Sequence, residues 1–210
     1  MDVGRLQDRI SRGMGSAARV IGEEYDLFRP AGIVGPLAPA NRIMRLPVAL
    51  DGGYPGYRRP RGYERSVRGT FDSVAVRVGD YLQGPRGVLF VAALPPLLRP
   101  LCVLTNVVVD VVRAGGQASA GLNGYGGAVE EVIETVLGGW PAQMLTEGSG
   151  KPGALPVDGG QTGWSVALPP TPAAIMTSDL LQDPSGRRYV VRAAEQSELG
   201  WRLSVRGTEV

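Results

Sequence analysis

The chain contains no histidine. That removes the commonest general base, the Ser–His and Cys–His pairs of nucleophilic catalysis, and the commonest metal ligand together. It has one cysteine, Cys102, set in the apolar run LCVLTNVVVDVV, where a thiol reads as a small core hydrophobe rather than a nucleophile or ligand. Lysine is nearly absent as well, Lys151 being alone among 22 basic residues. Neither sign of charge is in great excess: a net charge of +2, with no polybasic run, is far from the concentrated positive field of proteins that track phosphates. The opening MDVGRLQDRISRG carries charges throughout and lacks the apolar core of a signal peptide. No apolar stretch reaches the ~18 residues of a membrane span. The expectation is a soluble protein made in a cytoplasm, not an enzyme, with no catalytic residue, cofactor, metal site or membrane contact.

What the chain does have is 31 glycines, 17 prolines and 43% hydrophobic residues, which predicts a folded, mainly β protein of short strands and many turns rather than a helical bundle. A length of 210 residues suits one large or two small domains. One helix is predicted at the start. Val3, Leu6, Ile10, Met14, Ala18, Ile21, Tyr25 and Phe28 recur every three or four residues, the stripe of an amphipathic helix. Gly4, Gly13, Gly15 and Gly22 interrupt it at about 1 kcal/mol each, so it needs a surface to lie on. Leu6, Ile10, Met14, Ile21, Tyr25 and Phe28 are the candidate assembly interface.

Residues 29–50 hold four prolines and are expected to run extended as an arm. DGGYPGYRRPRGY, residues 51–63, interleaves tyrosine with Arg58, Arg59 and Arg61, the residue types that stack on bases and contact phosphates, although an ordinary exposed loop has the same composition. The Gly-rich segment that follows residue 113 shows periodicity only at Val129, Val132, Ile133, Val136 and Leu137, a short helix or strand ending at Gly138.

The chain repeats itself. DYLQGPRGVLFV, residues 80–91, returns as DLLQDPSGRRYV, residues 179–190, at an offset of 99. Without gaps the offset matches Asp80, Leu82, Gln83, Pro85, Gly87, Val91 and Leu104 with Asp179, Leu181, Gln182, Pro184, Gly186, Val190 and Leu203, and sets Phe90 against Tyr189 and Cys102 against Trp201. Each copy spells a strand, an acidic turn, a Pro-x-Gly hairpin and further strands, the grammar of a small antiparallel barrel or sandwich. Asp80 and Asp179 are read as turn-fixing acceptors of local backbone N–H groups, and Gly87 and Gly186 as positions needing a positive φ. Alternation puts Tyr189, Val191, Trp201, Leu203 and Val205 on one buried face. Such units leave strand edges that an assembly can pair. The predicted organisation is a helix and arm at 1–50, a first barrel unit at 51–113, a Gly-rich insertion at 114–163 and a second barrel unit at 164–210.

The stretches VGDYLQGPRGVLFVAA and TSDLLQDPSGRRYVVRAA share an acidic turn, a short hairpin and an aromatic–valine pair, and in this they resemble the small β-barrel of tailed-bacteriophage head-tail joining proteins, the stopper or head-completion group. NRIMRLPVAL after a proline-rich arm is similar to other phage neck-region proteins. The resemblance implies a structural virion protein: a homo-oligomeric ring in the neck between portal or adaptor and tail, with Arg58, Arg59 and Arg61 able to face packaged DNA. The chain departs from the group in having two units and a Gly-rich insertion, and in placing Ser178 where the first copy has Gly79. A tail terminator, a tail or baseplate component, or a carbohydrate- or cell-surface-binding module using Trp140, Trp164, Tyr54, Tyr57 and Tyr63 is the alternative. A hydrolase using paired acids such as Glu130, Glu131 and Glu134 is a further alternative, but these lie on a short amphipathic stretch and read as a solvated face.

Overall fold

The computed structural model describes residues 3–51, 66–115, 133–146 and 163–208. Helix α1 (Val3–Ile21) leads directly into strands β1 (Glu23–Phe28), β2 (Arg42–Asp51), β3 (Ser66–Thr70), β4 (Tyr81–Gly84), β5 (Gly87–Ala93) and β6 (Leu101–Leu104). The chain then builds β7 (Val107–Ala114), β8 (Ile133–Thr146), β9 (Gly163–Leu168), β10 (Leu180–Gln182), β11 (Arg188–Ser197) and β12 (Gly200–Gly207). The protein is mainly β, and each set of six strands closes into an antiparallel barrel. The circular order is β1-β2-β3-β6-β5-β4 in the first and β7-β8-β9-β12-β11-β10 in the second.

The second order is the first repeated strand for strand, so the duplication covers the whole barrel. Leu27 on β1 pairs with Leu82 on β4 as Val111 on β7 pairs with Leu181 on β10. Tyr25 pairs with Leu46 on β2 as Val109 pairs with Trp140 on β8. In both hairpins the register breaks at one bulge, between Val91 and Ala93 and between Val191 and Ala193. The second hairpin loop, however, is one residue longer. Leu82 therefore faces Leu89 where Leu181 faces Tyr189, so Leu89 rather than Phe90 is the counterpart of Tyr189. Further on, Val91 faces Cys102 where Val191 faces Val205, so the Cys102–Trp201 and Leu104–Leu203 matches of the ungapped offset do not hold.

Strand periodicity sorts the side chains of the first barrel. Tyr25, Leu27, Leu46, Val48, Leu82, Leu89, Val91 and Cys102 fill its interior. The alternating residues Phe28, Tyr81, Phe90, Ala92, Leu101 and Val103 point outward, yet they are buried in one cluster with Trp140, Leu137, Val166 and Leu181 of the second barrel. The two barrels thus share an apolar core. The expected inward set of the second copy, Tyr189, Val191, Trp201, Leu203 and Val205, is buried.

Several boundaries differ from those the sequence suggested. The helix stops at Ile21 instead of running through Phe28, because Gly22 lies so close to β2 that a Cβ there would sit 2.8 Å from the Val48 carbonyl carbon. Tyr25 and Phe28 belong to β1 and are buried in the chain's own barrels. The arm is confined to residues 29–41, since residues 42–51 are β2, and it is not extended throughout: it turns at 36–37 and closes in a short 3-10 helix at Pro39–Asn41. The apolar run beginning at Leu101 is two strands divided at Thr105–Asn106, where Asn106 takes the Met144 carbonyl at 2.9 Å and the Met144 N–H at 2.7 Å. The first barrel accordingly spans Glu23–Leu104 and the second begins at Val107, seven residues inside the unit placed at 51–113. Nor is 114–163 an insertion throughout, because β8 lies within it and continues past Gly138 to Thr146. The strand edges expected to pair between subunits are consumed by the β1–β4 and β7–β10 ladders.

Gly79 and Ser178 occupy the same turn with φ of 91° and 76°, a region an L side chain enters at about 1–2 kcal/mol. Ser178→Gly is expected to raise the stability of the second barrel by about 1 kcal/mol, and Gly79→Ser to lower that of the first by a similar amount. Urea midpoints at unchanged slope would measure both.

Candidate functional site

The first feature is an arginine–aspartate clamp that occurs once in each barrel. Asp80 ends the turn before β4, accepting the Arg77 N–H at 2.7 Å, and Asp179 ends the turn before β10, accepting the Met176 N–H at 2.7 Å. Both carboxylates are about 2% exposed. Arg29, just after β1, closes on Asp80 with Nε at 2.9 Å and Nη2 at 2.8 Å, and donates from Nη2 to the Ala75 carbonyl at 2.8 Å. Arg113 repeats this on Asp179 at 2.7 and 2.9 Å and on the Ala174 carbonyl at 2.9 Å. Bidentate pairing of this kind needs the planar guanidinium fork. The hydrogen bonds to the carboxylates raise the pKa of both arginines above the ordinary value. The clamps hold the 75–80 and 174–179 turns against β1 and β7, and their charged atoms are used up in doing so.

The second feature is the seam between the barrels. Tyr81 donates its hydroxyl to the Pro141 carbonyl at 2.8 Å, and its ring stands edge-on to Phe90 and Trp140 at centroid distances of 6.4 and 6.1 Å. Burial pushes the Tyr81 phenol well above its usual range, so the donor is retained at any ordinary pH. Trp140 donates from Nε1 to the Ile33 carbonyl at 2.7 Å. Two backbone bonds, Gly35 N–H to the Gly138 carbonyl and Gly138 N–H to the Ile33 carbonyl, each 2.9 Å, tie the 29–41 segment across the seam. A groove of about 480 Å³ opens beside it between Val88, Asn106, Val108, Pro141 and Pro184. A smaller one of about 200 Å³ lies by Arg29, Asp80, Trp140 and Pro170. The carboxylates at these grooves are already engaged: Asp80 by Arg29, and Asp183 by Ser185, the Arg187 N–H and Tyr189.

The third feature is α1, which lies on β2 and β3. Its contact line is made of small residues. Ser11 Oγ meets Ser73 Oγ at 2.9 Å, Gly15 is buried over Asp72, and Ala18 is fully buried. Leu6, Ile10 and Met14 are half-buried beside that line, on the chain's own barrel. Ile21 is 71% exposed and Val20 83%.

Of the residues singled out in the sequence, Gly87 and Gly186 have φ of 101° and 82°. Asp80 and Asp179 accept backbone N–H groups as above. Arg58, Arg59, Arg61, Tyr54, Tyr57, Tyr63, Glu130 and Glu131 lie outside the described residues, and Glu134 is exposed at the start of β8. Trp140 and Trp201 are buried, and Trp164, half-buried, packs edge-on to Tyr189. Arg29 and Arg113 are not among the residues singled out in the sequence; their signal there is the Asp-x-x-Arg spacing shared by DLFR (26–29) and DVVR (110–113), 84 residues apart. No His/Cys/Asp/Glu group able to hold a metal ion occurs among the described residues, and no described helix is long and apolar enough to cross a membrane.

Cys102 lies fully buried in the first barrel, and burial pushes its thiol from an ordinary 9.0 up to about 12. Because the folded value is raised, this contribution to stability is complete below pH 9.0 and is lost as pH climbs toward about 12. The loss amounts to about 4 kcal/mol. Cys102→Ala is expected to flatten that alkaline fall in stability, and native protein at pH 8 is expected to react with a thiol reagent only at its unfolding rate.

Comparison with protein-family models, with curated proteins and with solved structures finds no match to the chain.

Proposed function

We propose that this chain is a non-enzymatic structural subunit of a tailed-phage particle, assembling as a ring in the neck between portal or adaptor and tail. The observation that carries the reading is the seam: the first barrel buries an outward face of four strands against a second copy of its own fold. A sheet surface shaped to receive another such barrel is what an assembling subunit requires. The buried charges support the same reading, because Asp80 and Asp179 are spent on holding turns. Each barrel would serve as a rigid wall element, with the 29–41 segment tied across the seam and α1 as the adjustable part on its surface.

The test is to purify particles from the genome that encodes the chain and to assemble heads and tails with and without it. Joining of heads to tails only when the chain is present, with a ring of it at the neck by electron microscopy, is the expected result. Normal infectious particles formed without the chain would overturn the reading. Removal of the helix in such work has to stop at Ile21, because residues 23–28 are a strand of the first barrel.

A further inference from the structure

The duplication shows what α1 covers. In the second barrel, β8 receives the first barrel at Pro141, which takes the Tyr81 hydroxyl, and the loop after β9 receives it at Pro170, 3.7 Å from where a Cβ on Gly79 would lie. The strand pairings make Pro47 on β2 the counterpart of Pro141, since Glu24 faces Pro47 as Val108 faces Pro141. Ser73 lies in the β3–β4 connection, the counterpart of the β9–β10 connection that carries Pro170, since β3 and β9 hold the same place in the two barrels. These two places are where α1 sits: Gly22 rests on Val48, next to Pro47, and Ser11 bonds Ser73. The helix therefore occupies on the first barrel the site that the first barrel occupies on the second.

The opposite face is open. Phe28, Tyr81 and Phe90, which the first barrel buries in the seam, correspond on the second barrel to Val112, Leu180 and Val190, all half-buried. Ala92 and Val103 correspond to Arg192 and Arg206, which are exposed. Arg188 and Arg206 flank Val190 on that face, and among the described residues no ion pair is formed by Arg188, Arg192 or Arg206. Like charges side by side on a sheet are unfavourable until something of opposite sign covers them. The site beneath α1 is edged by Glu24 and Asp72, whereas the outer side of α1 carries Arg5, Arg9, Arg12 and Arg19. A docked helix thus turns basic residues toward anything approaching, and lifting it uncovers Asp72, which Gly15 covers, near the already exposed Glu24.

We propose that α1 is a displaceable cover on a barrel-docking site, and that lifting it lets the first barrel of one copy accept the Val112–Leu180–Val190 face of another, continuing head to tail the seam already made within the chain. The inference rests on the reading of the protein as an assembling subunit and names the faces through which copies meet. The helix is suited to leaving, because the buried part of its contact line is Ser11, Gly15 and Ala18, whose burial yields little stabilisation, while Leu6, Ile10 and Met14 are only half-buried and Gln7 adds one bond from the Leu97 N–H.

Sedimentation velocity on the full chain tests this. Gly15→Val should lift the helix, since a Cβ there would stand 2.7 Å from Asp72 Cβ, and deletion of residues 1–21 should uncover the site outright. Both are expected to self-associate at least about tenfold more tightly than the parent chain, and Arg192→Glu/Arg206→Glu added to either should return it to the parent's behaviour. Ser11→Cys/Ser73→Cys, at positions whose hydroxyls meet at 2.9 Å, should stay monomeric when cross-linked by oxidation and match the parent when reduced. If Gly15→Val remains monomeric while hydrogen exchange shows α1 unprotected, the inference is wrong, and equally so if charge reversal leaves the association intact. Rings that form on a neck through the oxidised Ser11→Cys/Ser73→Cys chain would sink the inference and leave the proposed function standing. Association that follows the expected pattern in a chain absent from particles would do the reverse.

Discussion

Arg113→Ala is expected to destabilise the second barrel by about 3–5 kcal/mol, the range for stripping one partner from a buried ion pair. The guanidinium is 28% exposed but the Asp179 carboxylate only 2%, so the cost arises from the acceptor, which keeps the Met176 N–H and loses both charge-assisted bonds. The Ala174 carbonyl loses its donor as well. Arg113→Lys should recover only part, because the single nitrogen of an ammonium cannot match the planar fork by which Nε and Nη2 each meet one carboxylate oxygen. Arg29→Ala should act equally on the first barrel through Asp80. Chemical denaturation of the two single variants and the double variant measures these effects. A loss under about 1 kcal/mol for Arg113→Ala, the level of a surface pair, would show that the clamp does not hold the turn.

Trp140→Ala is expected to cost about 3–5 kcal/mol and to change the shape of unfolding as well as its midpoint. Trp140 is fully buried, packs on Tyr81 across the seam and holds the Ile33 carbonyl. With the indole present, one apolar cluster spans both barrels and a single calorimetric transition is expected. Without it the first barrel keeps its own interior of Tyr25, Leu27, Val48, Leu82 and Cys102, and two transitions should separate. Trp140→Phe, which gives up the N–H bond but most of the packing remains, should lose about 1 kcal/mol and keep one transition.

The hairpin around each Pro-x-Gly was legible because one short segment carries its turn aspartate, its glycine and its alternating strands together. The opening strand of each barrel was not. In EEYDLF, Tyr25 and Phe28 continue the three-and-four spacing of the helix, while Tyr25 and Leu27 also fit a period of two, and what decides between them is the approach of Gly22 to Val48, a tertiary contact. The clamp arginines were hidden for a related reason. They repeat at 84 residues and the aspartates at 99, since the connections between strands differ in length between copies, and no single offset shows both. The division of LCVLTNVVVDVV was likewise invisible to hydropathy, because both halves are apolar and only the side chain of Asn106, gripping Met144, marks where one barrel ends.

Two copies of one hairpin on a single chain create a hazard while it folds, since β10 could seat itself between β1 and β5 and leave β4 for the other barrel. The copies differ where such an exchange would be felt. Leu180 in place of Tyr81 would leave the Pro141 carbonyl without its hydroxyl, and Tyr81 in place of Leu180 would set a phenol beside Val112 and Val190 on the outer surface. The divergence of the pair therefore acts as an address label, so that each hairpin is recognised by the barrel it was translated with.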